Sequence, residues 1–594
     1  MRLLLKLAEI MVLALSQSLA AQPPARAAID RALPPLQRSA SQFVANRSCF
    51  SCHHNALPIL TLQMARERGF TIDPSVLSAI EDTTFTPLRA ADALDQSIQA
   101  ATLNDPTPND SYLLMAAAAA GMDRNLATAV RAKQLLGWQH NGHWVTSDFR
   151  PPHSSSLFTA TATAVRAIDL YAPQELRLEK KSAFDAARKW LKKTHAASTE
   201  DAAFRLMGLV WSGGSVNEVN AAASDLLAMQ AQDGGWPQLQ GYASDAYSTG
   251  ESLFALREAG ITSNSAAWSR GAAFLVSTQA ADGTWHVKTR MTSPATVSPP
   301  YFTTGFPYGK DEFLSYAGTS WAVMALLRGF PEPAPAKLLD AKDPEPWIRT
   351  ALFGTADQLL KLLDGGLDAN ARTSNGTTLL MMAAPDAAKV RLLIARGGNV
   401  KARGTSGNDA LTIASAYRGT TASLRVLLDA GAEVSPPDDV HVRRPPLVFA
   451  AMAGDAANVK LLLDRGADPS QYAPLPEAIT FGHADVVRIL IQAGADTGLK
   501  ESSGVNLVHW ATITGRASVI PLLAKAGVPV NDPDKAGFTP LMYAATIDFG
   551  ETSTLRALLG AGADRTMKNP EGRNALEQAR YLKNGAIEAE LKRR

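Results

Sequence analysis

Apolar residues recur at helical spacing along most of the chain, and long runs alternating β-branched with polar residues are scarce, so the pattern predicts an all-α protein. Between residues 56 and 330, Ala-rich amphipathic segments alternate with loops. Beyond residue 345 the pattern becomes periodic. Apolar helical segments such as 459–463 and 486–491 lead into turns at Gly366, Gly397, Gly431, Gly466, Gly494, Gly527 and Gly562, spaced by 31, 34, 35, 28, 33 and 35 residues. A unit of that length cannot bury its own apolar face. Neighbours must stack, which leaves a concave surface lined by turns and first helices. Phe449, Tyr472, Phe481, His509, Trp510 and Tyr543 fall near that surface or in the core beneath it. The Pro-rich stretch at 331–344 reads as a linker between the two halves.

The closing turns Gly466-Ala467-Asp468, Gly494-Ala495-Asp496 and Gly562-Ala563-Asp564, with the opening Thr539-Pro540-Leu541, make residues 345–594 resemble ankyrin repeats. Thr-Pro-Leu-His, the family's opening signature, appears only as that one Thr-Pro-Leu. The resemblance implies a solenoid that docks a protein partner, and it brings no catalytic machinery of its own.

Three loops of the first half share a composition: residues 139–144 (Gln139, Gly142, Trp144), 232–236 (Gln232, Gly235, Trp236) and 279–285 (Gln279, Gly283, Trp285). Glycine can close a helix in the left-handed conformation, tryptophan can pack back, and glutamine can cap a neighbouring helix. These loops resemble the QW motifs of the squalene-cyclase and prenyltransferase superfamily, which implies an (α/α) toroid over residues 56–330. The activities of that superfamily do not follow. The Asp-x-Asp-Asp-Thr acid motif of the cyclases is absent, Asp245 stands without neighbouring carboxylates, and both cysteines precede the toroid, where no prenyltransferase zinc site can use them. Asp245 instead suits a helix N-cap before Ala246-Tyr247. A hollow toroid could hold an apolar, terpenoid-like molecule, with Asp245 or Asp311 as its polar groups.

Charge and targeting narrow the classes further. Lys+Arg 58 against Asp+Glu 56 gives a net charge of +2, so no basic field for nucleic acid exists. Arg2 and Lys6 flank an apolar stretch over residues 3–15, and Ser18-Leu19-Ala20 supplies a small-residue cleavage site, so residues 1–20 read as a signal peptide. The mature chain is then expected in the periplasm or secreted, with no transmembrane span after cleavage.

The two cysteines of the chain fall in Cys49-Phe50-Ser51-Cys52-His53-His54. Cys-x-x-Cys-His resembles the attachment signature of c-type cytochromes, placed here in a segment over residues 21–55. It implies one covalent haem c, with Cys49 and Cys52 joined to the porphyrin and His53 on the iron. Met64 is a candidate sixth ligand, as are His140, His143 and His153; an open sixth position fits equally. A dithiol pair, or zinc on Cys49, Cys52, His53 and His54, uses the same residues. The reading is thus an exported haem protein in electron transfer or redox sensing whose repeats dock a partner. Its alternatives are a toroid that binds or processes an apolar molecule, with enzymatic activity left open, and a structural adaptor without haem.

Overall fold

A computed structural model describes residues 22–47, 51–99, 105–148, 150–153, 155–290, 303–334, 337–343, 345–435 and 444–593. The proposed signal peptide and Cys49 lie outside these residues. Among them, thirteen α-helices precede residue 330: α1 (Gln22–Asn46), α2 (Leu57–Glu67), α3 (Pro74–Arg89), α4 (Ala93–Gln99), α5 (Pro106–Ala119), α6 (Leu126–Gly137), α7 (Leu157–Tyr171), α8 (Arg177–Lys193), α9 (Thr199–Trp211), α10 (Val216–Ala228), α11 (Ala246–Glu258), α12 (Ala266–Thr278) and α13 (Glu312–Leu327). One two-residue β-ladder, Trp236–Pro237 against Ser244–Asp245, interrupts them.

Six of these helices pack in a closed order. α2 lies on α5, α5 on α7, α7 on α9, α9 on α11, α11 on α13, and α13 returns to α2. Composition explains why they are inside: every residue of α13 from Ser315 to Leu327 is buried, and α7 is a run of Ala, Thr and apolar residues from Phe158 to Val165, with the Arg166 and Asp169 side chains reaching solvent toward its C-terminal end. A helix apolar or small on all sides must be covered on all sides. The cover comes from amphipathic helices such as α8, whose lysines face outward while Phe184, Ala187 and Leu191 are buried.

The Gln, Gly and Trp loops are repeated corners of this ring. Trp144, Trp236 and Trp285 each donate an indole N–H to a carbonyl in the preceding helix (Leu135, Leu226, Leu275) at 2.6, 2.8 and 2.9 Å. Each also donates its backbone N–H to a threonine of an inner helix, Thr161, Thr249 or Thr319. Two residues before each tryptophan stands a left-handed glycine, Gly142, Gly234 or Gly283. A Cβ there would meet the carbonyl oxygens of Ala186 and Arg270 at 2.6 and 2.8 Å in the first two corners and overlap that of Arg31 in the third. The glutamines reach a neighbouring outer helix at Ala183, Ala267 and Ala28. In the second corner that residue is Gln230, two positions before the Gln232 singled out in the sequence.

The described residues of the segment 21–55 pack into this half of the chain. α1 packs on α3, α12 and α13 and so belongs to the outer layer, while Cys52–Ala56 is a π-helical turn continuous with inner helix α2. Ser51 N–H donates to Asn55 Oδ1 at 2.8 Å, and Asn55 reaches Thr84 of α3 at 3.1 Å, which anchors that turn.

Among the described residues from 346 onward, sixteen short helices form eight antiparallel pairs, from Pro346–Phe353 with Ala356–Asp364 to Ala575–Tyr581 with Gly585–Lys592. The seven turn glycines named above all have positive φ, from +84° to +99°, with open space where a Cβ would stand. Backbone conformation, not crowding, selects glycine there. His509, named above among the aromatic rings near the concave face, ties two units together: in Asn506-Leu507-Val508-His509 its Nε2 pairs with Phe538 O of the next unit at 3.0 Å.

The array's turn-and-first-helix face is covered by the ring. Asp95 of α4 accepts from Asn375 at 3.0 Å and Thr377 at 2.5 Å, and Gln99 bonds Asn375, Thr377, Thr405 and Ser406. Further along, Trp138 meets Phe481 with ring centres 5.8 Å apart, Arg516 bonds Thr146 O, and Arg290 donates to Asp548 O at 2.6 Å. Val448, Met452 and Phe481 join the ring's core, and Ile98, Leu126 and Val130 join the array's. The surface expected to dock a separate protein is therefore occupied by the chain's own first half. Phe449 and Phe481 lie at this boundary, His509 and Tyr543 are core, and Tyr472 is 44% exposed. The linker is pinned by Arg124, which pairs its backbone with Leu339 and Ala341 and bonds Leu338 O.

Candidate functional site

The π-helical turn at Cys52–Ala56 carries His53 and His54 against the ring's inner helices, and the Pro152-His153 loop brings a third imidazole to them. His53 is partly buried. Its ring stacks on Phe313 with centres 5.0 Å apart and meets Phe43, His54 and His153 edge-on at 6.3, 4.7 and 5.9 Å. His54 has no exposure; Phe43 and Tyr316 stack on it at 4.9 and 4.2 Å. The Nδ1 atoms of His53 and His54 are 2.5 Å apart, and His54 Nε2 is buried without a hydrogen-bond partner among the described residues.

Burial is the main reason all three imidazoles are neutral. It lowers His53 well below its ordinary value, with the His54, His153 and Arg150 charges adding to the effect, and lowers His54 to about 3 and His153 to about 4. Arg150, paired with Asp148 at 3.0 Å, is the nearby cation.

His153 Nδ1 lies 3.1 Å from the Tyr247 hydroxyl. Tyr247 and Glu251 are i and i+4 on α11 and share its inward face. The Glu251 carboxyl has no exposure; the Tyr247 hydroxyl is close enough to favour its charged form, yet neither oxygen is in full hydrogen-bond geometry with a described group. Burial, then Glu200, raises its pKa well above the ordinary range. Glu200, bonded by Thr159 at 2.5 Å, is raised to about 8 by burial, with Asp201 and Asp148 contributing. The sequence reading missed these two buried carboxyls of the inner helices. The available signal was a glutamate one turn after a tyrosine, between the small residues Gly250 and Ser252 of that helix.

The aspartates proposed for that role do other work. Asp245 caps α11, accepting from Ser248 N–H at 2.9 Å and from Gln238 at 2.8 Å. Asp311 pairs with His286 Nε2 at 2.9 Å and accepts from Thr289 N–H.

Of the residues assigned to a haem, His53 is described in full, Cys52 only in its backbone, and Cys49 lies outside the described residues. Met64 is on the same continuous helix as His53, eleven residues on and so about 16 Å along the axis, too far to share one iron. It packs against the ring's core. His140 and His143 face the array and Trp190, with His143 stacked on Trp190 at 4.9 Å. Among the described residues no three His, Cys, Asp or Glu side chains converge on a metal-ion site. A porphyrin-held iron asks only for axial donors, and neutral imidazoles with apolar rings and one guanidinium beside them suit it.

Comparison with known proteins matches the array. A family model for ankyrin repeats (3 copies) matches residues 436–501 and 478–569. The chain is 28% identical over 195 residues to a putative palmitoyltransferase ZDHHC13 of Danio rerio (26% of this chain, 30% of that protein). It is 32% identical over 130 residues to ankyrin repeat domain-containing protein 63 of Mus musculus (20% and 33%), and 32% over 96 residues to a putative ankyrin repeat-containing protein of Treponema pallidum (16% and 32%). It thus spans about a third of the length of these curated relatives. The solved ankyrin repeat domain of human ASB11 aligns with 37% of this chain and 96% of its own at 25% identity and a TM-score of 0.32. The C-terminal region carries ankyrin repeats, and no described helix is long and apolar enough to cross a membrane.

Proposed function

We propose that this chain is an exported c-type haem protein, periplasmic or secreted, acting in electron transfer or redox sensing. Cys49 and Cys52 hold one haem covalently and His53 is its axial ligand. The observation that carries the reading is the position of His53: the histidine of the Cys-x-x-Cys-His sequence stands at the ring interior, among Phe43, Phe313 and a second neutral imidazole. The closed order of six inner helices supports an (α/α) toroid for this half, with α1 added to its outer layer. The array contributes the protein-binding surface such repeats provide, turned here toward the toroid, so that a separate partner engages the outer helices. Expression with haem-maturation machinery, followed by denaturation and a reduced absorption spectrum, tests the reading. Haem absorbance should survive denaturation and vanish when Cys49 and Cys52 are both replaced by serine; its absence from the denatured wild-type chain overturns the proposal.

A second reading has one observation in its favour, the paired carboxyls of Glu200 and Glu251. Burial keeps them protonated near neutral pH, so they could act as acids on an apolar molecule inside the ring. Turnover of a linear isoprenoid that disappears in Glu251→Gln would favour it over the redox role.

A further inference from the structure

We infer that His153 is the second axial ligand, opposite His53, and that Tyr247 and Glu251 are positioning residues that fix its ring. The inference rests on the haem reading above.

Distance comes first. Two imidazoles bound through nitrogen at about 2 Å on opposite sides of one metal have ring centres roughly 6 Å apart; those of His53 and His153 are 5.9 Å apart, at an interplanar angle of 68°.

Hydrogen bonding comes second. A histidine that ligates through Nε2 almost always donates its Nδ1–H to another group, which sets tautomer and orientation. His53 Nδ1 meets His54 Nδ1, and His153 Nδ1 meets the Tyr247 hydroxyl at 3.1 Å. If His153 donates, the Tyr247 proton turns toward the Glu251 carboxyl one turn along α11, and each group has a direction for its hydrogen. His54, packed between Phe43 and Tyr316, serves as the corresponding acceptor for His53.

The competing donors are placed elsewhere. Met64 is three turns up the helix, and His140 and His143 belong to the boundary with the array. Two imidazole ligands also give a lower potential than an imidazole with a thioether.

The test uses the full-length chain matured with haem. The wild type should show a low-spin, six-coordinate ferric spectrum. His153→Ala should keep its covalent haem, become high-spin, and return to low-spin on adding free imidazole. His153→Met should stay six-coordinate with a higher midpoint potential. Tyr247→Phe should retain six-coordination while shifting the potential or broadening the electron paramagnetic resonance lines. A high-spin wild type, or a His153→Ala protein still low-spin without imidazole, overturns the inference while leaving the haem reading intact. A wild-type chain with no covalent haem removes both. Circular dichroism separates ligand loss from misfolding, and should His153→Ala not fold, the wild-type spin state and the His153→Met potential still decide.

Discussion

The Nδ1 atoms of His140, in the loop after α6, and His483, in the array, lie 3.3 Å apart across the boundary between the two halves. His483 also reaches Met452 O at 3.0 Å and is 3% exposed. Burial first, then the charges of His140, Arg418 and Arg516, lower His483 to about 3; burial and His140 lower His143 to about 4. Asp455 and Asp485 act in the opposite sense on His140 without reversing its downward shift.

An unfolded chain protonates His143 and His483 near 6.5, whereas the folded one keeps them neutral down to about pH 4 and about pH 3. The folded state therefore binds fewer protons in that window, and stability falls as pH drops from 6.5, each group adding up to about 1.4 kcal/mol per pH unit. Thermal melts between pH 7 and 4.5 should show a falling midpoint, shallower in His483→Gln. Identical profiles for the two proteins would remove His483 from this role.

Asp95 is 5% exposed and takes hydrogen bonds from Thr373, Asn375 and Thr377 of the array. Asp95→Ala strands those donors at a buried boundary, and a loss of about 2–3 kcal/mol is expected. Urea unfolding measures it; a change below about 0.5 kcal/mol would mean that the boundary does not depend on this carboxylate.

Gly283 has a φ of +87°, and any Cβ there overlaps the Arg31 carbonyl of α1. Gly283→Ala should cost at least about 2 kcal/mol, since conformational strain and a backbone clash combine. Differential scanning calorimetry should show a clear fall in Tm, larger than for Gly397→Ala, whose Cβ points into open space.

Helix, period and corner were legible in the sequence because each leaves a local mark: Ala-rich runs, a Gly turn every thirty-odd residues, and a Gln, Gly and Trp recurring in three loops, although the second corner uses Gln230 and Gly234 where the sequence pointed to Gln232 and Gly235. Asp245 as an N-cap was legible for the same reason. What was not legible depends on closure. Glu200 and Glu251 come from helices that meet only once the ring is shut, and although His153 stood among the candidate ligands, no spacing along the chain set it apart from His140 and His143. Met64 looked like a partner for His53 because it is near in sequence, yet a continuous helix converts eleven residues into separation. The array's covered face was hidden similarly: Gln99 touches Thr405 and Ser406, some three hundred residues away.

Glu200 carries the opposite pH signature to the histidines. Its carboxyl is raised to about 8 from 4.5, so the folded chain holds a proton that the unfolded chain has lost. That contribution is complete below pH 4.5 and disappears as pH rises through about 8. Glu200→Gln, neutral throughout, should flatten the decline in Tm between pH 6 and 8.5; an unchanged decline would assign it to other groups.

Asp245→Asn keeps a good N-cap and should alter stability by less than about 0.5 kcal/mol, while Asp245→Ala loses the Ser248 bond and should cost about 1 kcal/mol. Chemical denaturation of both variants checks the pair, and equal losses would show that charge, not capping, is what Asp245 provides.

A solenoid tied only to its nearest neighbours behaves as a soft spring, able to stretch and to lose its end units one at a time. This one is fastened at Asp95 and Gln99 near one end and at Arg290 and Tyr242 through Asp548 near the other. Stretching it means shearing those fastenings together, so under force the repeats act as a stiff rib, yielding in one step where a free solenoid would give way gradually.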